Sequence, residues 1–426
     1  MTDNHPPSLA TYARIIIVAS MAGIISHLLR SSLGVLGPDL MQELSFSAEW
    51  LGIMTGLFFL VFALNQIPLG ILLDRYGPRR VVSTFLLFTI VGCGLFVVAN
   101  SVWMLIAGRV MMGLGSSALI ISSFVLLARW FTPEKYANAT SILIALGNAG
   151  GLLATAPLAA LAAWLSWRGA FAVVAVFCAI VAALVFFFIQ DNPPGKKVKP
   201  VPKQSLSEQL KGTWVIIKNP ATKHLIAIAA VAYPSVATIL ALWGGPFLFD
   251  VYGLDTLARG NVLLCMAIAA IVSPLFYGWL NNIIGTRAIA FLGSSITVAV
   301  LLTLAFAPKM DLFFITVLMT LLGGGAGYNM LVLPVSRFFF PEHMTGRAVT
   351  TVNIAIVGGV AIMQMLTGFI VGAFPEVNGS TPEIAYRTVF ATLAIFLTLG
   401  TWYFARLGPL PNSYIDPDND QQNNKS

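Results

Sequence analysis

Gly70-Ile-Leu-Leu-Asp74-Arg75-Tyr-Gly77-Pro-Arg79 recurs later in the chain as Gly278-Trp-Leu-Asn-Asn282-Ile-Ile-Gly285-Thr-Arg287, 208 positions further on. Other residues recur at the same spacing: Pro38 as Pro246, and Gly150-Gly151 as Gly358-Gly359. A spacing kept over so long a stretch indicates a tandem duplication of a unit about half as long as the chain. In a membrane protein, parallel halves of this kind usually enclose a central binding site.

Composition places the chain in a membrane. Hydrophobic residues make up 58% of it and charged residues 10%, whereas soluble domains carry roughly 25% charge. Twelve apolar stretches are long enough to cross a bilayer, six before the polar stretch at 191–222 and six after it. The sequence therefore predicts an all-α membrane protein whose twelve transmembrane helices form two pseudo-symmetric six-helix bundles.

The spans and the polar stretches between them predict the organisation of the chain. The expected parts are an N-terminal tail (1–13), a six-helix bundle (14–190), a linker with an amphipathic surface helix (191–222), a second six-helix bundle (223–407) and a polar, disordered tail (408–426).

The distribution of positive charge predicts the orientation. With both termini placed on one side, that side holds 18 of the 24 Lys and Arg residues, and the opposite side holds four. Because positive charge gathers on the cytoplasmic side, we expect a multi-pass protein of the inner (cytoplasmic) membrane with both termini in the cytoplasm. The net charge of +7 then reflects topology and gives no argument for nucleic-acid binding.

The loop between spans 2 and 3 combines close packing, a turn and charge. Gly70 lets helices approach closely, and Gly77 with the following proline forms a tight turn. The Asp74 carboxylate is stabilised near a helix N-terminus or a cation. Arg75 and Arg79 anchor the loop at the inner surface.

This loop, in this position, resembles the signature loop of the major facilitator superfamily, and with the spans and the repeat the resemblance covers roughly residues 12–408. It implies a secondary transporter in which Asp74 latches the inner gate while the outer side is open, with Arg129 at the inner end of span 4 as its partner. The second copy has Asn282 at the position of Asp74, which implies a weaker second latch. The alternative is that these charges only set the topology.

Two arginines lie inside predicted spans, Arg30 in span 1 and Arg109 in span 4. A charge at this depth costs about 2.5–3.5 kcal/mol on insertion scales, so each needs an anion, a carboxylate or a polar cavity. No Asp or Glu lies in the middle of any predicted span. A bound anion could supply the missing charge, since Arg offers a fork that fits carboxylate or phosphate. The alternative for each is a structural Arg bonded to backbone carbonyls.

Arg30, eight residues before Pro38, also resembles the organic-anion branches of the superfamily, which include the anion:cation symporters and the organophosphate exchangers. The phosphate exchangers carry a second Arg at the matching site of span 7, where this chain has Thr238. This departure favours a small organic anion or zwitterion, such as a carboxylate or an amino acid, over a phosphate ester. His27 shares a helix face with Arg30 and is a candidate for proton coupling; a packed, uncharged histidine is the alternative.

In this superfamily the cavity is lined mainly by spans 1, 4, 7 and 10, which implies further candidates on spans 7 and 10. Hydrogen bonding between helices is the alternative role for any one of them. The predicted substrate-binding residues are Arg30, His27, Arg109, Thr238, Tyr328 and Asn329.

Two rival functions remain open, proton-coupled efflux of drugs or hydrophobic metabolites, and a non-transporting sensor on the same scaffold. Efflux is disfavoured because the glycine pattern of the drug exporters is incomplete in span 5, from Gly147 to Pro157, and because no span carries a central carboxylate. The chain has no nucleotide-binding loop, and its four histidines are scattered, so we expect neither an enzyme nor a cofactor or metal. The prediction is a monomeric transporter of a small anion, coupled to protons, whose partners are its substrate and the lipid bilayer.

Overall fold

The computed structural model describes residues 9–193, 206–332, 335–336, 339–340, 344–377 and 379–407. The predicted tail at 408–426, the first eight residues and the linker at 194–205 lie outside these described residues.

The first half contains five helices that make six membrane crossings. Their bounds are α1 Leu9–Leu44, α2 Ala48–Val97, α3 Val102–Trp130, α4 Pro133–Leu153 and α5 Ala156–Phe188. Helix α2 crosses twice and turns at Gly77, where φ is 78°. Helix α5 divides at Ser166, where φ is 64°, so that α4 with the start of α5 forms span 5 and the rest of α5 forms span 6.

The second half repeats this plan with more interruptions. Its helices are the linker helix α6 Leu206–Lys218, then α7 Pro220–Ala229, α8 Ala232–Thr238, α9 Gly244–Tyr252, α10 Thr256–Phe306, α11 Leu312–Gly325, α12 Asn329–Val332, α13 Thr345–Gly372 and α14 Glu383–Ala405. A π-helical turn at Ile239–Trp243 lies within span 7, and a 3₁₀ turn at Ala326–Tyr328 lies within span 10.

Among the described residues, nine helical stretches are long and apolar enough to cross a bilayer. Two of these, of 50 and 51 residues, each cross twice, and α4 with the start of α5 adds one more crossing. The twelve predicted spans are therefore present as two sets of six, and the predicted all-α membrane class is confirmed.

The duplication is visible in the backbone. Gly77 and Gly285 both turn the chain between two spans, with φ 78° and ψ 158° at the first and φ 80° and ψ 159° at the second. This conformation is essentially restricted to glycine, which explains why both copies kept it. Arg79 donates from Nε to the Phe186 carbonyl (2.8 Å), and Arg287 donates from Nη2 to the Ala405 carbonyl (2.9 Å). Each arginine thus ties the turn of its own half to the end of the last helix of that half.

Two segments differ from or extend the sequence prediction. The described part of helix α1 already includes Leu9, upstream of the predicted span start at residue 14, and Tyr12 in this added part packs on Phe131 with ring centroids 4.9 Å apart. In the linker helix α6, Ile216 is buried against Phe340 and Ala348, while Trp214 on the same helix is exposed.

We call the side of the bundle that carries the Gly77 and Gly285 turns the motif side, and the opposite side the far side. Helix α1 begins on the motif side and ends on the far side. The two halves meet where α1 packs on α9 and the π-helical turn, α2 on α13, and α5 on α10.

Candidate functional site between the two halves

Glycines bring the two halves into backbone contact towards the far side. A Cβ atom on Gly34 would lie 2.1 Å from the Leu240 carbonyl oxygen, and one on Gly245 would lie 1.9 Å from the Gly34 carbonyl oxygen. At a second crossing, a Cβ on Gly52 would lie 2.5 Å from the Gly368 Cα atom. No side chain fits at these contacts, so the halves are closed against each other here.

An ion pair crosses the same side of the interface. Arg259 of α10 is almost completely buried, and its Nη2 donates to Asp39 Oδ2 of α1 at 2.8 Å. Thr256 Oγ1 donates to the other oxygen of Asp39 at 2.9 Å, and Arg259 Nη2 also lies 3.3 Å from the Val35 carbonyl. From the sequence Arg259 was only a charge near the outer end of a span; the pairing makes it a contact between the halves.

A cavity of about 230 Å³ lies between the halves and is lined by both of them. Its polar lining residues are His27, Arg30, Ser31, Asn148, Tyr233, Asn329 and Asn353. A separate surface depression on the far side, lined by Pro38 and Pro246 among others, includes none of these seven residues. The glycine contacts therefore lie between the central cavity and the far surface.

Arg30 is the cation of this cavity. Its Nε is buried and has no hydrogen-bond partner, and its Cζ lies 4.4 Å from the centroid of the Phe62 ring. Among the described residues it forms no ion pair, and no Asp or Glu lines the cavity. A ring face provides only weak stabilisation of a guanidinium, so the charge of Arg30 is available to an anion.

Arg109 has a different environment. It is completely buried and does not line the cavity. Its Nη1 donates to the Leu29 carbonyl at 2.8 Å, and its Cζ lies 4.3 Å from the centroid of the Phe58 ring. Arg109 therefore holds α3 against α1 at the residue that precedes Arg30.

The other four predicted binding residues divide evenly. His27 and Asn329 line the cavity, whereas Thr238 and Tyr328 do not. The Thr238 hydroxyl is buried without a partner, and the Tyr328 hydroxyl accepts a hydrogen bond from Ser294 Oγ at 2.9 Å.

Sequence reasoning did not single out two polar residues of the cavity, Ser31 and Asn148. Ser31 follows Arg30 directly, and Asn148 stands in the glycine-rich part of span 5. The only available signal was a polar residue within an apolar span, and many buried polar residues elsewhere in the chain share that signal.

The charged residues of the motif loop do not form the predicted latch in this structure. Asp74 is exposed and makes no ion pair with the described residues, and Arg129 Nη2 lies 3.5 Å from the Leu73 carbonyl. The backbone N–H of Arg79 instead donates to Asp191 Oδ1 at 2.7 Å. Gly70 is exposed, and Arg75 packs over the Tyr76 ring at 5.2 Å. Asp191, which sequence reasoning missed, is thus the residue that fixes this loop.

Comparison with known proteins agrees with this architecture. A hexuronate transporter of Bacillus subtilis (strain 168) is 23% identical over 89% of this chain and 93% of its own length. A putative tartrate transporter of Agrobacterium vitis is also 23% identical, over 95% of this chain and 96% of its own length. Among solved structures, a bacterial homologue of the human lysosomal transporter Spinster, in an inward-facing and occupied conformation, superposes with a TM-score of 0.80 at 17% identity and covers 96% of this chain and all of that one.

The family model of the Major Facilitator Superfamily matches residues 19–276 and 260–425, which together span nearly the whole chain. Duplicated halves, a central cavity and the motif loop fit the same assignment. This chain is a multi-pass membrane transport protein, not an enzyme, and it belongs to the Major Facilitator Superfamily.

Proposed function

We propose that this protein moves a small organic anion across the cytoplasmic membrane by alternating access, and that Arg30 binds the negative group of the cargo. The observation that carries the proposal is the Arg30 guanidinium, which forms no ion pair with the described residues, beside a cavity that none of their carboxylates lines. A carboxylate or another small anion placed there would neutralise the buried charge and form charge-assisted hydrogen bonds. The same lack of a carboxylate disfavours a cationic drug as cargo.

The names of the relatives support an acidic cargo. Hexuronate and tartrate, which give two of them their names, both carry carboxylates. At about 23% identity the relatives do not decide which acid this protein carries, so the choice rests on the chemistry of the cavity.

In the proposed cycle, the structure corresponds to the state that opens to the cytoplasm. The far side is closed by the glycine contacts and by the Asp39–Arg259 pair, and the excess of positive charge on the motif side supports a cytoplasmic position for that side. Asp74 is exposed in this state. It acts as a latch in the opposite state, in which the motif side closes and the Asp74 carboxylate pairs with Arg129. The two six-helix halves, 14–190 and 223–407, rock about the cavity, and one chain is sufficient because it contains both halves.

His27 is the proposed site of proton coupling. Its Nδ1 lies 3.0 Å from the Gly23 carbonyl oxygen. Since a carbonyl can only accept, Nδ1 carries the hydrogen, and Nε2 is the nitrogen that can take up a proton. A protonated His27 would add a second positive charge one helical turn from Arg30 and favour loading of an anion.

The test compares two arginine variants in proteoliposomes. Arg30→Gln removes the guanidinium from the cavity, whereas Arg387→Gln removes one from a half-buried pair with Glu383, outside the cavity. We expect Arg30→Gln to abolish uptake of small carboxylates and Arg387→Gln to leave it within about twofold of the parent. Undiminished uptake by folded Arg30→Gln protein would overturn the assignment of Arg30.

A further inference from the structure

The polar residues of the cavity lining are concentrated in the first half, and this distribution indicates which chemical groups the cargo carries. Four of the six lining residues from the first half are polar, against three of the sixteen from the second half. His27 and Arg30, the two groups that can carry positive charge, lie three residues apart on α1, on the side of the cavity that the first half forms. An anionic group is therefore held at the first half, and the rest of the cargo faces the second half.

The wall provided by the second half is mostly hydrocarbon. Helix α10 contributes Ala267, Ala270, Ile271 and Pro274, which follow the helical spacing of a single face. Helix α13 adds Val357 and its apolar neighbours. None of these side chains can donate or accept a hydrogen bond.

Each amide group on this wall already uses one of its two N–H donors within the protein. Asn329 donates from Nδ2 to the Ala326 carbonyl at 2.8 Å, and Asn353 donates from Nδ2 to Gln66 Oε1 at 3.1 Å. Only Tyr233 remains as a polar lining residue of the second half without a hydrogen bond among the described residues. A cargo with several hydroxyl groups would lose its hydrogen bonds to water and find few hydrogen-bond partners on this wall.

Elementary energetics decide between the two kinds of cargo. A polar group that loses its water without gaining a partner costs about 1–3 kcal/mol, whereas each buried methylene contributes about 0.8 kcal/mol. A second carboxylate on the cargo would meet the hydrocarbon wall without a cation. We therefore infer, on the basis of the proposed function, that the cargo is a monocarboxylate with a short apolar body. The acids after which the two relatives are named carry several hydroxyl groups and differ from it in this respect.

A pair of ligands with the same carbon chain tests this inference. Hexanoate and gluconate share the chain and the carboxylate and differ in their hydroxyl groups. Binding is measured by equilibrium dialysis on the purified full-length protein, the Arg30→Gln variant and the Arg387→Gln control. Hexanamide, which lacks the charge, controls for partitioning of the apolar chain into detergent.

We expect hexanoate to bind at least tenfold more tightly than gluconate, tartrate or glucuronate, and only when Arg30 is present. Val357→Thr, which keeps the volume but adds a hydroxyl to the wall, should reduce this preference. Equal or tighter binding of the hydroxylated acids, still dependent on Arg30, would overturn the inference and leave the proposed function standing. If no organic anion binds in an Arg30-dependent manner, both the inference and the proposed function are wrong.

Discussion

The Asp39–Arg259 pair allows a quantitative test of the far-side gate. The pair joins α1 to α10 and therefore exists only while the halves are closed on this side. Asp39→Asn keeps the shape of the side chain and an oxygen for Thr256, but it removes the charge that faces Arg259. The variant should therefore destabilise the far-closed state and leave the far-open state unchanged.

The magnitude follows from the burial of the two partners. Removing one partner from a buried ion pair costs about 3–5 kcal/mol. The Arg259 side chain is 1% exposed but that of Asp39 is 30% exposed, so water already screens part of the interaction, and we take about 2 kcal/mol. At about 1.4 kcal/mol for each factor of ten, the equilibrium should move roughly 30-fold towards the far-open state.

Accessibility of the cavity from the far side reports this shift. Ala237 lines the cavity and is nearly buried, so Ala237→Cys, in a chain whose three native cysteines are replaced, is a suitable reporter. With the far side facing outwards, as proposed, an impermeant maleimide added to intact cells reaches this thiol only when the far side opens. While the far-open state is the minor one, the labelling rate should rise with its population, by roughly 30-fold in Asp39→Asn.

Glu43→Gln is the matched control. Glu43 lies one turn further along α1 and pairs with Arg168 of the same half, so its loss cannot separate the halves. A labelling rate in Asp39→Asn that equals the parent's, or an equal increase in Glu43→Gln, would show that the pair does not hold the gate.

Three further predictions follow from single residues. Gly34→Ala should block closure of the far side, because its Cβ would lie 2.1 Å from the Leu240 carbonyl oxygen; uptake in proteoliposomes should fall at least tenfold. Ser166→Gly should raise the free energy of unfolding by about 1 kcal/mol or more, because Ser166, at φ 64° and ψ 168°, occupies a conformation that costs about 1–3 kcal/mol outside glycine; thermal unfolding of the purified protein checks this. His27→Asn retains a donor for the Gly23 carbonyl but takes up no proton, so uptake should continue without its response to an imposed pH gradient.

Controls of the same chemistry accompany these variants. Gly94→Ala adds a Cβ that would meet no described residue within 4 Å apart from its own helix, and it should leave uptake unchanged. Ser141→Gly lies inside helix α4, where glycine is unfavourable, and should lower the unfolding temperature. A Ser166→Gly protein that is less stable than the parent, or a His27→Asn protein that still responds to pH, would contradict the corresponding argument.

Features encoded locally in the sequence could be predicted, and features that depend on pairing between the halves could not. Hydrophobic length gave the twelve spans, and the repeat gave the equivalence of Gly77 and Gly285, whose dihedral angles agree within a few degrees. The π-helical turn at Ile239–Trp243 was not predicted, since its own five residues are ordinary helix-compatible apolar types. Asp39 and Arg259 lie 220 residues apart, and nothing near either residue in the chain points to the other.

The two buried arginines show most clearly which features could not be predicted from the sequence. Hydrophobic surroundings predict that a charge must be compensated, but they do not identify the compensating group. Arg109 has one hydrogen-bond acceptor, the Leu29 carbonyl, and the face of the Phe58 ring, while its Nε and Nη2 have no partner among the described residues. For Arg30 the described residues provide only the Phe62 ring and the cavity. The carbonyl that Arg109 binds belongs to the residue before Arg30, so Arg109 positions the arginine that lines the cavity.

This arrangement makes the change of state depend on cargo. To pass from one side to the other, the carrier must close the cavity on both sides at once, and without an anion this step would bury an unpaired guanidinium at about 2.5–3.5 kcal/mol. A bound carboxylate removes that cost, so the loaded carrier should change state roughly a hundredfold faster than the empty one. Exchange of labelled for unlabelled cargo across a proteoliposome membrane should then be much faster than net flux into empty vesicles. Equal rates for exchange and net flux would show that the charge of Arg30 is compensated by the protein itself during the crossing.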